Sequence, residues 1–373
     1  MSRYVKSTAT IAALALTAAA CSSQGAERTS ADTSTPTEIS AASPSTTTAP
    51  AVDTELANFP EAYQTFISDN GGSKWVDVNG SDMHYVEIGD PDGEVVLLGH
   101  GAPTNAFLWR DVMTDLAKPG RRVIAFDLIG FGRSDHPDVD YTFATHADYM
   151  TGFIEALELE DVNLVLHDVS GQAGFAYAAE NPNNVRSIAS FEVLYRSFTS
   201  FEEMGPFAGP LFQQVKQPEV GEKLIVEDNL PVVQNLDAGT ATEMAPEVKE
   251  VYGSFFEDPE SRDVNLDFIR DTPVGGEPVD GAAFVDNYAE WLRSSTTTPK
   301  LFLSPEMGLV PLVQFETAKT LPNVEFGTIE KSGHFAQEDN PASIAKQLNE
   351  FYETSGVLDA WYRGDNQPNH LPK

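Results

Sequence analysis

The chain has 373 residues, with 57 acidic against 23 basic side chains and a formal net charge of −34. A surface so acidic repels nucleic acid and anionic lipid head groups, which excludes a nucleic-acid partner. The length suits one large α/β unit with appendages, and the single cysteine, Cys21, excludes an intramolecular disulfide, so packing alone must hold the core.

In chain order, residues 1–20 carry Arg3 and Lys6 and then the apolar run Ile11 to Ala20. That run is too short to span a bilayer as a helix and reads as a secretory signal peptide. Ala18-Ala19-Ala20 precede Cys21 in the manner of a bacterial lipobox, although Ala18 stands where a leucine is usual. The expectation is an exported cell-envelope lipoprotein, held to the membrane by lipid on Cys21. Residues 21–55 are rich in Ser, Thr, Ala and Pro with no apolar period, and read as a flexible tether.

Beyond the tether, short β-rich runs alternate with amphipathic segments. Lys74–Val78 and Met83–Ile88 predict an antiparallel hairpin turned at Asn79-Gly80. Strands are predicted at Val95–Gly99, Arg122–Phe126, Val162–His167 and Arg186–Phe191, with helices around Ala106–Ala117, Thr145–Leu157 and Gln172–Glu180 between them. Residues 195–293 break this rhythm with Phe, Pro and acidic residues, and read as an inserted helical cap. Strands resume at Leu301–Ser304 and Val324–Ile329, with helices at Val313–Thr320 and Pro341–Thr354. The expected fold is a mostly parallel eight-stranded sheet with helices on both faces. Its core comprises residues 56–194 and 294–355, and a tail at 356–373 has no pattern.

Asp168 carries the chemistry. The run Val162 to His167 is an apolar strand, Asp168 follows at a sharp turn, and small residues open a helix after it. This is the setting of a nucleophile elbow, and the whole fits an α/β-hydrolase fold. A carboxylate there attacks saturated carbon and forms an alkyl ester, whereas a serine would suit acyl transfer. Ser170 is the rival nucleophile, but Asp168 and Gln172 stand where small residues would have to flank it. His334, in a loop after the last strand, is placed to activate the water that hydrolyses the ester. A carboxylate must orient it: Glu192 at the end of the sixth strand is the first choice and Glu306 the reserve. The backbone N–H groups of Ala102 and Val169 are expected to form the oxyanion hole. His100 reads as a loop organiser, His84, His136 and His146 as structural, and the glycine-rich Asp127–Asp135 as turn architecture near the cavity mouth.

These residues resemble the haloalkane dehalogenases, a family of the α/β-hydrolase superfamily related to the coelenterazine luciferases. The resemblance covers roughly Trp75 to Tyr352. It is carried by His100-Gly101-Ala102-Pro103-Thr104-Asn105, Leu108-Trp109-Arg110, Asp127 to Asp135, Phe153 to Leu157 and His167-Asp168. Further matches are Glu192, Gly221-Glu222-Lys223, Glu227-Asp228-Asn229, Asn287-Tyr288, Trp291-Leu292, Gly333-His334 and Gln337 to Pro341.

The resemblance implies a small apolar substrate, water as second substrate, and no metal or organic cofactor. It also implies that the carboxylate after the sixth strand orients the histidine, which supports Glu192. Two positions depart from the family pattern. Its members hold the departing halide between an asparagine and a tryptophan, and those positions here are Ala102 and Val169. A cap residue must then supply a donor, with Tyr195, Tyr288 and Trp291 as candidates, or the substrate is not a haloalkane. A cap phenol would suit an epoxide hydrolase, which shares the aspartate nucleophile. A reading from another class is a surface-tethered binding protein that has kept the fold and lost turnover.

Overall fold

The computed structural model describes residues 53–310 and 312–355. The predicted signal peptide, Cys21, most of the predicted tether and the tail at 356–373 lie outside the described residues. No helix among the described residues is long and apolar enough to cross a membrane.

Eight strands form one sheet: β1 (Lys74–Val78), β2 (Ser81–Gly89), β3 (Glu94–Gly99), β4 (Arg121–Phe126), β5 (Val162–His167), β6 (Val185–Phe191), β7 (Lys300–Pro305) and β8 (Val324–Ile329). Their spatial order is β1-β2-β4-β3-β5-β6-β7-β8, with β2 antiparallel to both neighbours and β3 to β8 parallel. Asn79 and Gly80, both at positive φ, turn the opening hairpin as its sequence predicts.

Central strands buried on both faces read as continuous apolar runs, and alternate side chains feed two separate cores. Leu97, Ile124, Leu164 and Leu166 point to one core, and Val96, Val123 and Val165 to the other. Helices Phe143–Ala156, Val169–Glu180 and Val279–Ser294 cover the first face, and Arg110–Leu116 and Pro341–Thr354 pack together against the second. Thr142 and Asn340 cap two of these helices, each accepting a hydrogen bond from the backbone N–H three residues on.

The chain after β6 departs from the predicted boundary. Helices Gly205–Val215, Pro246–Ser254 and Asp263–Asp271 belong to the insertion, but Val279–Ser294 packs directly on Val169–Glu180, with the rings of Tyr288 and Phe175 5.6 Å apart. That helix is part of the core layer. Its composition resembles the cap because both present aromatic residues to a helix partner.

The segment Asp127–Asp135, read from its sequence as turn architecture, is organised around a buried carboxylate. The fully buried Asp127 accepts hydrogen bonds from the amide of Ala106 (2.7 Å), the amide of Arg133 (2.9 Å) and the Nδ1 of His84 (2.7 Å). It thereby ties the loop after β3 to the turn after β4 and to β2. Burial would raise its carboxyl, but His84, together with His100 and the Arg133 amide, outweighs that and holds it below the usual range. Its contribution is therefore present above the unfolded-state value and is lost as pH falls through the lower folded one. Removing one partner from such a buried set costs about 3–5 kcal/mol. Asp127→Ala should lower the urea midpoint at pH 7 by a corresponding amount. The gap to wild type should persist at about pH 5 and close only below roughly pH 4, where carboxylates protonate; a gap that stays open at the acid end would show that the charge is not the stabilising element.

Candidate active site

β5 ends at His167, and Asp168 turns the chain into the helix Val169–Glu180 with φ 52° and ψ −118°. A non-glycine residue is strained there and persists only where its surroundings hold it. Gly101 makes room: a Cβ at that position would lie 2.3 Å from the Cβ of Asp168. Ser170 closes the turn, accepting from the amide of His167 at 3.0 Å and donating to its carbonyl at 2.8 Å. With its hydroxyl so engaged and fully buried, Ser170 does not present a nucleophile.

The Asp168 carboxylate lies with its two oxygens in different settings. Oδ1 accepts from the amide of Ala102 at 2.9 Å, and the amide of Val169 also favours the charged carboxylate. Oδ2 faces Nε2 of His334 across 4.0 Å, too far for a direct hydrogen bond. Burial pushes the Asp168 carboxyl up, and the opposing pull of His334 and of the two amides does not cancel it.

His334 stands in the loop after β8, with its Nδ1 2.9 Å from Oε2 of Glu192. With Nδ1 directed at Glu192, Nε2 is the ring nitrogen that faces Asp168. Burial works against the imidazolium, but the hydrogen bond and charge of Glu192, joined by the charge of Asp168, raise His334 above its usual value.

Glu192 sits just beyond β6 at φ 57° and is itself fixed by the amides of Leu309 (2.7 Å) and Val310 (3.0 Å) on the same Oε2. Gly308 permits that approach, because a Cβ there would lie 2.2 Å from Oε1 of Glu192. Glu306 does not reach the histidine. It is exposed, and its Oε2 accepts from the amide of Lys331 at 2.9 Å. The loop that follows Glu306 thus supplies amides to the site, and its carboxylate points elsewhere.

Further residues position the base. His167 donates from Nε2 to the carbonyl of His334 at 2.9 Å, and burial with the neighbouring His334 holds its ring well below the usual value, hence neutral. Asp339 accepts from the amide of Gly333 (2.8 Å) and from those of Ala241 (2.8 Å) and Thr242 (3.1 Å). The amide of Phe335 donates to the carbonyl of Gly239 at 2.9 Å. The base loop is therefore sewn to a segment of the insertion. The sequence assigns no role to Asp339, His167 or the 309–310 amides, and only Gly308, out of place in an apolar stretch, marks the close approach.

Asp168, His334, Glu192 and Ala102 line a cavity of about 580 Å³. Its walls are mostly apolar, with Leu194, Phe198, Met204, Leu211, Phe212 and Phe268 contributed by the insertion and its approach. The proposed cap donors do not line it. The Tyr195 hydroxyl lies 3.2 Å from Oγ of Ser190, Tyr288 donates to the carbonyl of Leu194 at 2.9 Å, and Trp291 packs near Nζ of Lys300. Each was placed in the cap by its sequence neighbourhood, and each faces the core layer instead. The side chain of Val169 is also buried in the core and absent from the lining. His100 organises its loop as expected, with Nε2 accepting from the amide of Leu128 at 2.9 Å. His84 bonds Asp127, and His136 lies 2.7 Å from a carboxylate oxygen of Asp263.

Known proteins share this fold and much of this sequence. Residues 94–256 match the family model for the alpha/beta hydrolase fold. The chain is similar to a haloalkane dehalogenase of Mesorhizobium japonicum, 37% identical over 272 residues that cover 72% of this chain and 87% of the relative. It is also similar to one of Agrobacterium fabrum, 34% identical with 78% and 92% covered. The crystal structure of a haloalkane dehalogenase from Bradyrhizobium elkani superposes with a TM-score of 0.73 at 32% identity, covering 78% of this chain and 99% of that one.

Glu192→Gln removes the charge that raises His334, so the base should titrate nearer its usual value of about 6.5. A base is active only above its pKa. The acid limb of the pH–rate profile should therefore move to lower pH, while the plateau falls on the order of 10²–10⁴-fold. An acid limb that stays in place in the variant would assign the orientation of His334 to another group.

Proposed function

The chain belongs to the haloalkane dehalogenase family of α/β-hydrolase-fold enzymes, and on that premise we propose that it hydrolyses carbon–halogen bonds of small apolar halocarbons through an ester on Asp168. The observation that carries this reading is the Asp168 carboxylate itself, with Oδ1 on the Ala102 amide and Oδ2 turned to Nε2 of His334.

Oδ2 attacks the saturated carbon from the side opposite the halogen. A C–O bond forms as the carbon–halogen bond breaks, and the electron pair leaves with the halide. Oδ1 becomes the ester carbonyl oxygen. His334 then takes a proton from water, and the hydroxide adds to Cγ of Asp168. The charge that develops on Oδ1 is stabilised by the amides of Ala102 and Val169. Collapse expels the alkoxide, which recovers the proton from His334 as it leaves. The sum is halocarbon plus water to alcohol, halide and a proton. Glu192 holds the imidazole in the required tautomer throughout and stabilises the imidazolium.

His334→Ala stops the second half of this cycle and leaves the first intact. After incubation with a 1-bromoalkane, mass spectrometry should show an alkyl adduct on the peptide containing Asp168, with steady-state halide release reduced about 10²–10⁴-fold. An adduct on Ser170 would overturn the nucleophile assignment. No adduct from halocarbons, epoxides or activated esters would favour a binding protein without turnover.

The same reading includes export and lipid attachment at Cys21, supported by the short apolar leader and the three alanines before it. Expressed in a bacterial host, the protein should partition into detergent, and Cys21→Ala should move it to the aqueous phase. Unchanged partitioning would remove the anchor from the proposal.

A further inference from the structure

Alkylation of Asp168 leaves negative charge on the departing halide, and none of the residues placed so far donates to it. Ala102 offers only a methyl group, Val169 is packed in the core, and Tyr195, Tyr288 and Trp291 do not line the cavity. The cavity does contain two carboxamides that the fold leaves unused.

Gln172 lies on the helix that Asp168 opens, one turn beyond it, and lines the cavity while 1% exposed. Helical side chains lean toward the helix N-terminus, so this one leans back over the nucleophile turn. Its Oε1 is buried without a partner, and no hydrogen bond joins its carboxamide to another described residue. Asn265, on the inserted helix Asp263–Asp271, also lines the cavity, is 2% exposed, and has both Oδ1 and Nδ2 buried without partners. Other polar lining residues differ: Thr272 spends its hydroxyl on the carbonyl of Phe268 at 3.0 Å, and Asn235 is partly exposed.

Leaving a buried amide unpaired destabilises the folded protein, and native structures carry few such groups without a reason. Two in the wall of one apolar cavity fit groups kept for a ligand. Neutral N–H donors also suit the chemistry, since a lysine or arginine there would pair with Asp168 and blunt the nucleophile.

We propose that the side-chain amides of Gln172 and Asn265 form the leaving-group site, donating N–H groups to the departing halide in place of donors at positions 102 and 169. This inference rests on the carbon–halogen reading above. It makes Gln172 and Asn265 catalytic residues for ester formation and leaves ester hydrolysis to Asp168, His334 and Glu192.

The test follows the two half-reactions separately by rapid quench on the full chain, using 1-chloro-, 1-bromo- and 1-iodoalkanes of one length. Gln172→Met and Asn265→Leu keep side-chain volume and remove the donors. Each should slow formation of the Asp168 ester by about 100-fold, the usual effect of removing one such donor. The loss should be largest for chloride, which needs most stabilisation, and smallest for iodide, with ester hydrolysis unchanged. Both variants should melt at or above the wild-type temperature, because an unpartnered polar group has been replaced by an apolar one of similar shape.

A second measurement needs no variant to fold. In wild-type protein titrated with sodium bromide, the side-chain amide resonances of Gln172 and Asn265 should shift together and saturate. Unchanged ester formation in both variants, an equal loss for all three halides, or amides indifferent to bromide would overturn the assignment. The parent reading fails differently: wild type would form no Asp168 ester from any haloalkane, while bromide still shifted both amides.

Discussion

A carboxylate must stay ionised and aimed inside an apolar cavity, and most of the local architecture follows from that demand. Burial favours the neutral acid, so the charge of Asp168 depends on neighbours that favour the anion. The Ala102 and Val169 amides and the His334 ring supply them. Those amides are available only because β3 and β5 are adjacent parallel strands whose ends bring the two loops together. Gly101 then lets the loop close onto Asp168 without a clash, and the internally bonded Ser170 holds the turn in its strained conformation. One carboxylate thus accounts for a glycine, a serine and a pair of neighbouring strand ends.

The central strands were legible in the sequence because they are apolar on both faces and bounded by turn residues, as Val162–His167 shows. Asp168 and His334 were legible because topology alone puts the ends of β5 and the loop after β8 on one edge. The choice between Glu192 and Glu306 was not fixed by pattern, since both carboxylates follow strand ends. What separates them is that Glu192 is turned inward at positive φ, whereas Glu306 is exposed and takes the Lys331 amide. Tyr195, Tyr288 and Trp291 show the opposite limit. Aromatic residues in an irregular stretch read as cap, but which neighbour each ring packs against is a tertiary fact with no local signature. Gln172 is a subtler case, because a polar residue in a helix start looks solvated until the helix proves to be buried on nearly every side.

The charged site residues and the cavity walls draw largely on different parts of the chain. Asp168, His334 and Glu192 are fixed to the sheet or to loops at its edge, and Glu192 is bonded both to His334 and to the amides of Leu309 and Val310. The substrate cavity draws its walls largely from the insertion. Substitutions in the insertion can therefore alter which molecule is alkylated while the means of releasing it is conserved, a separation that allows one fold to host many substrates.

Asp339 ties these two parts together. Its carboxylate accepts one amide from the histidine loop and two from residues 241–242 of the insertion, so neither segment shifts without disturbing the other's bonds. Coupling of this kind is reciprocal as a matter of thermodynamics. Whatever tightens the insertion around an occupant also steadies the loop that presents the imidazole, and whatever loosens that loop slackens the wall of the chamber. Asp339 is thus a shared fastening for the histidine loop and the insertion, while bonding neither the Asp168 nor the His334 side chain.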